Sequence, residues 1–245
     1  MTTPVAVITG ASAGIGAATA ARLRAEGFDV VVGARRLDKL EEVAAAIGAR
    51  PLPLDVCDAE SVARFAEEVG PCQVLVNNAG GALGLEPIAQ AVDEHWRWMY
   101  DANVLGTMRM TRALLPRLIE SGAGHIVNIG SIAGLEVYDN GGGYTAAKHA
   151  LRALTETLRI ELIGQPVRIT EVDPGFVETE FSLVRFSGDV DRAKQPYVGM
   201  TPLCAEDVAD CIAFVVTRPA HVNIDQVVVK PLAQATAMRV HRVTD

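Results

Sequence analysis

The stretch Thr9-Gly10-Ala11-Ser12-Ala13-Gly14-Ile15-Gly16 ends the apolar run Val5–Thr9 and leads into an alanine-rich segment of helical period. Glycines at a strand-to-helix turn let the backbone approach a pyrophosphate. The helix that follows offers its free amino-terminal N–H groups and the positive end of its dipole. A glycine triplet alone is a weak sign. Here it stands in the context the motif demands, after a buried strand and before a helix, so Gly10, Ser12, Gly14, Ile15 and Gly16 are read as a dinucleotide-binding turn.

Working outward, short β-branched runs recur at Val5–Thr9, Val30–Gly33, Leu52–Leu54, Val74–Asn77, His125–Ile129, Val167–Val172 and Gln226–Val229. Each is too short for a helix and reads as a strand buried on both faces. Helix-period segments alternate with them at Ile15–Glu26, Leu37–Ile47, Glu60–Val69, Met99–Glu120, Tyr144–Ile163 and Ala205–Val216. Strict alternation implies right-handed crossovers, a parallel sheet of about seven strands and helices on both faces. With no linker or repeat, residues 1–245 read as one doubly wound α/β domain. Phe181–Thr201 lacks a period and is expected to cover the ligand, and 231–245 forms a carboxyl-terminal tail.

The chain has 245 residues, 49 % hydrophobic and 21 % charged, with 22 basic against 30 acidic residues and a net charge of −8. That balance suits a sizeable core and argues against nucleic acid or an anionic membrane as partner. An anionic cofactor must then be held by local features. The start MTTPVAVITG reads as a strand rather than a leader, and no apolar run approaches a membrane span, so the expected location is cytoplasmic. Cys57, Cys72, Cys204 and Cys211 show no metal-ligand spacing, and no metal is expected. His95, His125, His149 and His221 likewise read as structural or surface residues, and Trp96 and Trp98 as packing.

At the end of the second run, VVVGARR places Ala34 where an acidic residue would bind a ribose 2′-hydroxyl, and Arg35 and Arg36 follow. A guanidinium can grip a 2′-phosphate through paired charge-assisted bonds, so NADP(H) is expected over NAD(H). Either arginine could instead be a solvated surface charge, Arg36 more readily than Arg35.

Tyr144 and Lys148 lie four apart at the start of a long helix and so share a face. Ser131 follows the fifth run and Asn103 lies in the preceding helix. Reduction of a carbonyl needs a proton for the developing alkoxide. The reverse reaction needs a base, and a phenol with ordinary pKa about 10 serves better beside a cation. Lys148 would supply that cation and Ser131 would hydrogen-bond the substrate oxygen.

TGASAGIG, LDV, NNAG, NVLG with Asn103, GSIAG with Ser131, YTAAK and PGFVET, in this order, resemble the motifs of the short-chain dehydrogenase/reductase family over nearly the whole chain. The resemblance implies a Rossmann-type sheet and a catalytic tetrad of Asn103, Ser131, Tyr144 and Lys148, with Asn103 holding a water that links Lys148 to solvent. It implies cofactor contacts at Asp55 and Val56 (adenine), at Asn77, Ala79 and Gly80 (channel), at Tyr144 and Lys148, and at Pro174, Gly175, Val177 and Thr179 (nicotinamide). A finer resemblance, in NNAGGALGLEP, TEFSLVRFSGD and PAHVNI, is to NADP-dependent serine and other 3-hydroxy acid dehydrogenases. It departs from that branch at Gly81 and Ala102.

A carboxylate substrate needs an anchoring cation, for which Arg185 in the long loop is the candidate beside Ser131 and Tyr144. Arg185 could equally face water or a neighbouring subunit. The resemblance implies a homotetramer, a dimer being the lesser assembly. A 3-oxoacyl or secondary-metabolite ketoreductase, and a non-enzymatic NADP-binding regulator, are the alternative functions.

Overall fold

Apolar runs too short to close a helix find their hydrogen bonds in neighbouring strands. In the computed structural model, which describes residues 3–243, all seven do so in one parallel sheet. The elements run β1 (Val5–Thr9), α1 (Gly14–Ala25), β2 (Asp29–Ala34), α2 (Leu37–Ile47), β3 (Arg50–Pro53), α3 (Ala59–Val69) and β4 (Val74–Asn77). They continue α4 (Asp93–Tyr100), α5 (Gly106–Glu120), β5 (Gly124–Ile129), α6 (Gly142–Glu161), β6 (Val167–Pro174), α7 (Phe181–Arg185), α8 (Val190–Lys194), α9 (Ala205–Val216) and β7 (Gln226–Val229). The ends read into the single domain and its tail, residues 1–2 and 244–245, lie outside the described residues.

The sheet order is β3-β2-β1-β4-β5-β6-β7. Chain order reverses at β1, whose neighbours are β2 and β4, and such a reversal opens a crevice at the carboxyl ends of the strands. Period-two alternation splits the core. Ala6, Ile8, Val32 and Val76 face Leu23, Leu40 and Ile212 on one side. Val7, Val31, Leu75 and Ile126 face Phe65, Leu114 and Leu118 on the other.

Capping chemistry sets several helix ends. The Asp58 carboxylate accepts the Glu60 N–H at 2.9 Å to start α3, and Gly48 ends α2 in the left-handed region at φ 67°. Two expectations are corrected. The helix read as Met99–Glu120 begins at Asp93 and passes through a π-helical turn, Asp101–Leu105, that separates α4 from α5. The wider turn fits the commitment of the Asn103 side chain described below. The segment read as aperiodic over 181–201 contains α7 and α8, both too short for a hydrophobic period to show in sequence. Among the described residues, no helix is long and apolar enough to cross a membrane.

Candidate active site

The turn after β1 is a cradle that side chains would fill. Gly10 has φ 66°, and a Cβ there would meet the Ala79 Cα at 2.8 Å. A Cβ on Gly16 would sit 2.5 Å from Asn78 Nδ2 and 2.6 Å from the Gly10 carbonyl oxygen. Gly16 therefore serves the close packing of α1 on the turn. Gly14, at φ 56°, faces Thr179 across the crevice. The N-cap of α1, Ala13, offers no side-chain acceptor, so no cap competes for the N–H groups of the helix start.

A cavity of about 440 Å³ opens beside this turn. Its walls include Gly10, Gly14, Ile15, Ala79, Gly80, Ser131, Tyr144, Lys148, Pro174, Gly175, Val177, Thr179 and Arg185, which the sequence assigned to it from four separate strand ends. Arg36 also lines it. Its Nε and one terminal amine donate to Ser12 Oγ at 3.2 and 3.0 Å, and the other amine donates to Glu180 at 2.7 Å. Arg35 is exposed and outside the wall, so the guanidinium at the cavity is that of Arg36, the one sequence favoured less.

Other assigned residues point elsewhere. The Asn77 amide is buried and donates to Thr111 Oγ1 at 3.2 Å and Asn128 Oδ1 at 2.9 Å, behind the sheet. Alternation along β4 turns it away from the crevice, and its neighbour Asn78 takes the cavity wall, donating to the Thr9 and Gly10 carbonyls. Asp55 accepts the Cys57 N–H within its own turn at 3.0 Å, and Val56 packs under Gly106; both lie beyond the cavity. Asn103 is buried and spent on backbone. Its amide donates to the Gly81 and Met99 carbonyls at 2.9 and 2.7 Å and accepts the Gly81 N–H at 3.2 Å. Its side chain therefore fastens the loop after β4 to the π turn and does not line the cavity.

Tyr144 and Lys148 emerge from the first two turns of α6. The Tyr144 ring lies 5.5 Å from that of Phe181 in α7, and Lys148 Nζ lies 5.8 Å from the Tyr144 centroid. Lys148 donates to the Ile129 carbonyl at 2.8 Å. Burial pushes the Tyr144 phenol above its ordinary pKa, with Tyr138 adding to the rise and Ser131 and Arg185 opposing it. Burial likewise pulls Lys148 down to about 8, against the pull of Glu171 and Asp173. Burial thus favours the protonated phenol. Ser131 starts a 3₁₀ turn, its Oγ accepting the Ala133 N–H at 3.1 Å and its N–H donating to Asp173 at 2.9 Å.

Arg185 reaches this centre from the far wall. It donates to the Gly84 carbonyl at 3.0 Å and to the Tyr138 hydroxyl at 3.1 Å. Its guanidinium carbon lies 5.7 Å from the Tyr138 ring centroid and 5.8 Å from that of Tyr144. The arrangement brings a phenol, a hydroxyl and a cation to one apolar-walled space, beside the glycine turn. Sequence reasoning missed Asn78, Tyr138 and Phe181; of these only Asn78 carried a signal, as the second residue of an asparagine pair at a strand end. Two of the histidines are structural, buried His125 pairing with Thr170 at 2.8 Å and His149 with the Thr145 carbonyl at 2.8 Å, and His221 is exposed.

Residues 4–187 match the family model for short chain dehydrogenase. The chain is 60 % identical over 235 residues to an uncharacterized oxidoreductase of Mycobacterium tuberculosis, covering 96 % of this chain and 94 % of the relative. It is 42 % identical over 246 residues to an NADP-dependent 3-hydroxy acid dehydrogenase of Salmonella typhimurium, covering 97 % and 99 %. Among solved structures it resembles the closed form of a serine dehydrogenase complexed with NADP⁺, with TM-score 0.92, 39 % identity and coverage of 98 % and 100 %.

Proposed function

The chain belongs to the short-chain dehydrogenase family as an NADP-dependent oxidoreductase of CH–OH groups, and we propose that its substrate is a short 3-hydroxy acid or β-hydroxy amino acid. The observation that carries this reading is Arg185. A guanidinium set 5.8 Å from the Tyr144 ring can take a carboxylate while the hydroxyl of the same small molecule reaches Tyr144 and Ser131. The similarity to a 3-hydroxy acid dehydrogenase supports it.

The residues fit a dinucleotide phosphate. Gly10 and Gly14 leave the room a Cβ would take, the α1 amino terminus would receive the pyrophosphate, and Arg36 with Ser12 would hold the 2′-phosphate. Pro174, Gly175, Val177 and Thr179 would flank the nicotinamide, which when bound supplies or accepts the hydride. Tyr144 gives a proton to the carbonyl oxygen in reduction and takes it from the alcohol in oxidation. Ser131 donates a hydrogen bond to that oxygen, fixing it where charge develops. Lys148 supports the phenolate as a cation, and Asn103 acts at one remove, by fastening Gly81 to the π turn. Segment 181–201 closes the substrate side, and the tail from 231 braces it, Arg242 donating to the Pro196 carbonyl at 3.0 Å, while Gln234 accepts the Phe176 N–H at 2.9 Å just after β6.

The assembly proposed is a homotetramer. Exposed apolar side chains stand at Ile88, Tyr100 and Val137, in or flanking α4 and α6 along the chain, and at Phe214, Val228 and Leu232, in or flanking α9 and β7. The proposed compartment is the cytoplasm, consistent with four free cysteines.

The test is NADP reduction against serine and threonine isomers, 3-hydroxypropionate, 3-hydroxybutyrate and neutral secondary alcohols. Turnover of the acids supports the reading. Turnover confined to bulky neutral ketones in the reverse assay points to a ketoreductase whose substrate uses Leu85, Val184 and Phe186 in the cavity wall. Tight NADPH binding without turnover of any substrate points to a regulator.

A further inference from the structure

Parallel register sets a row of polar residues across the sheet: Asn77 opposite Asn128, Asn128 opposite Glu171, and Glu171 opposite Gln226. Hydrogen bonding runs only through its first two members. Asn77 donates to Asn128 at 2.9 Å, and Asn128 donates to Thr155 Oγ1 of α6 at 2.9 Å. It stops at Glu171. This carboxylate is 3 % exposed, and its Oε1 has no hydrogen-bond partner.

Two residues on, on the same face of β6, stands a second buried carboxylate, Asp173. Its two oxygens accept the Ser131 N–H at 2.9 Å and Gln226 Nε2 at 2.8 Å. Both acids crowd Gly130, where a Cβ would fall 2.0 Å from Asp173 Oδ1 and 2.9 Å from Glu171 Oε1. Two buried carboxylates against one glycine, one with an orphaned oxygen, cannot both be ionised cheaply. A single shared proton satisfies the orphan.

We propose that Glu171 and Asp173 form a proton-sharing acid pair beneath the active site. Glu171 carries the proton, and Asp173 is the buried countercharge that keeps Lys148 cationic while seating the Ser131 backbone. Both are positioning residues, since neither lines the cavity. The inference rests on the reading of Tyr144, Ser131 and Lys148 given above. From α6 the pair faces Lys148, Arg152 and the Tyr144 phenol, from β5 Asn128, from the turn after it Ser131, and from β7 Gln226. Arg152 is engaged with Glu156 at 2.9 Å, which leaves Lys148 as the cation without an acid of its own. Burial and the neighbouring Asp173 push Glu171 up to about 8, in keeping with a proton held at neutral pH.

Two measurements decide it. Infrared spectra of the NADP-bound protein at pH 7 should show the carbonyl stretch of a buried protonated carboxylic acid, absent from Glu171→Gln. If wild type lacks that band, or Glu171→Gln keeps it, proton sharing on Glu171 is overturned, whatever the turnover. Asp173→Asn should bring the alkaline limb of the kcat/KM profile for alcohol oxidation down by about one to three pH units, as Lys148 loses its countercharge. NADPH affinity serves as the folding control. An unmoved limb in a variant that binds NADPH overturns the countercharge role. Should Asp173→Asn not fold, the wild-type band still tests the pair. Failure of the parent reading looks different: Tyr144→Phe would then turn over normally while the infrared band remained.

Discussion

Replacing Arg36 with alanine removes the cation that stands 3.0 to 3.2 Å from Ser12 Oγ at the rim of the glycine turn. If that guanidinium holds the 2′-phosphate, the variant loses two charge-assisted hydrogen bonds, each worth about 1.5–3 kcal/mol. The sum would be about 3–6 kcal/mol, and because the side chain is 45 % exposed, solvent screening cuts it to about 2–3 kcal/mol. At about 1.4 kcal/mol per tenfold, NADPH should bind roughly 30- to 150-fold more weakly. NADH, which lacks the phosphate, should change by no more than about twofold. Fluorescence titration with both cofactors at two ionic strengths measures this, and the salt dependence of NADPH binding should fall in the variant. Equal weakening of NADPH and NADH would refute the assignment, because it would mean that the turn itself had been disturbed. So would an unchanged NADPH affinity accompanied by the loss in Arg35→Ala.

Three further outcomes follow from the geometry. Tyr144→Phe should lower kcat by about 10²–10⁴ while NADPH affinity holds, because the ring still packs on Phe181 and only the proton is lost; stopped-flow and titration separate the two. Arg185→Ala should raise KM for 3-hydroxy acids by roughly ten- to a hundredfold, the worth of one charge-assisted contact, and leave neutral alcohols within about twofold. An equal rise for both classes would instead mark a packing role against Tyr138. Buried His125 titrates at about 3 in the folded chain against an ordinary 6.5, through burial and the nearby Arg168. Above 6.5 both states are neutral. As pH falls from 6.5 toward 3 the unfolded chain takes up a proton that the fold refuses, so stability is lost at up to about 1.4 kcal/mol per pH unit. Urea denaturation of wild type and His125→Gln across that range should show the variant without this component.

The glycine turn after β1 was legible because it is local. Its glycines, the strand before it and the helix after it are contiguous, and each carries its own backbone signal. Tyr144 and Lys148 were legible for the same reason, being one helical turn apart. Asn77, assigned to the channel by resemblance, faces away from the cavity, and its neighbour Asn78 takes the wall, because which face of β4 meets the crevice is set by the sheet's packing and not by the strand's alternation. Arg36 was ranked below Arg35 because the direction of a flexible side chain at a strand end depends on what stands opposite, here Ser12 and Glu180, the latter 144 residues away. The π turn, with Asn103 bonded across to Gly81, left no trace in a pattern that reads equally well as a continuous helix.

The sequence by itself determined the parallel sheet, the seven strands, the glycine turn between β1 and α1 and the pairing of Tyr144 with Lys148 on one helix face, all of which follow from periodicity and short spacings. Only the tertiary structure decided which of those side chains face the cavity. It also decided that Arg185 meets Tyr144, and that Glu171 and Asp173 lie under Ser131 and Lys148. Periodicity is a property of neighbours along the chain, whereas charge pairing and burial are properties of neighbours in space, brought together when β4, β5, β6 and β7 take their register.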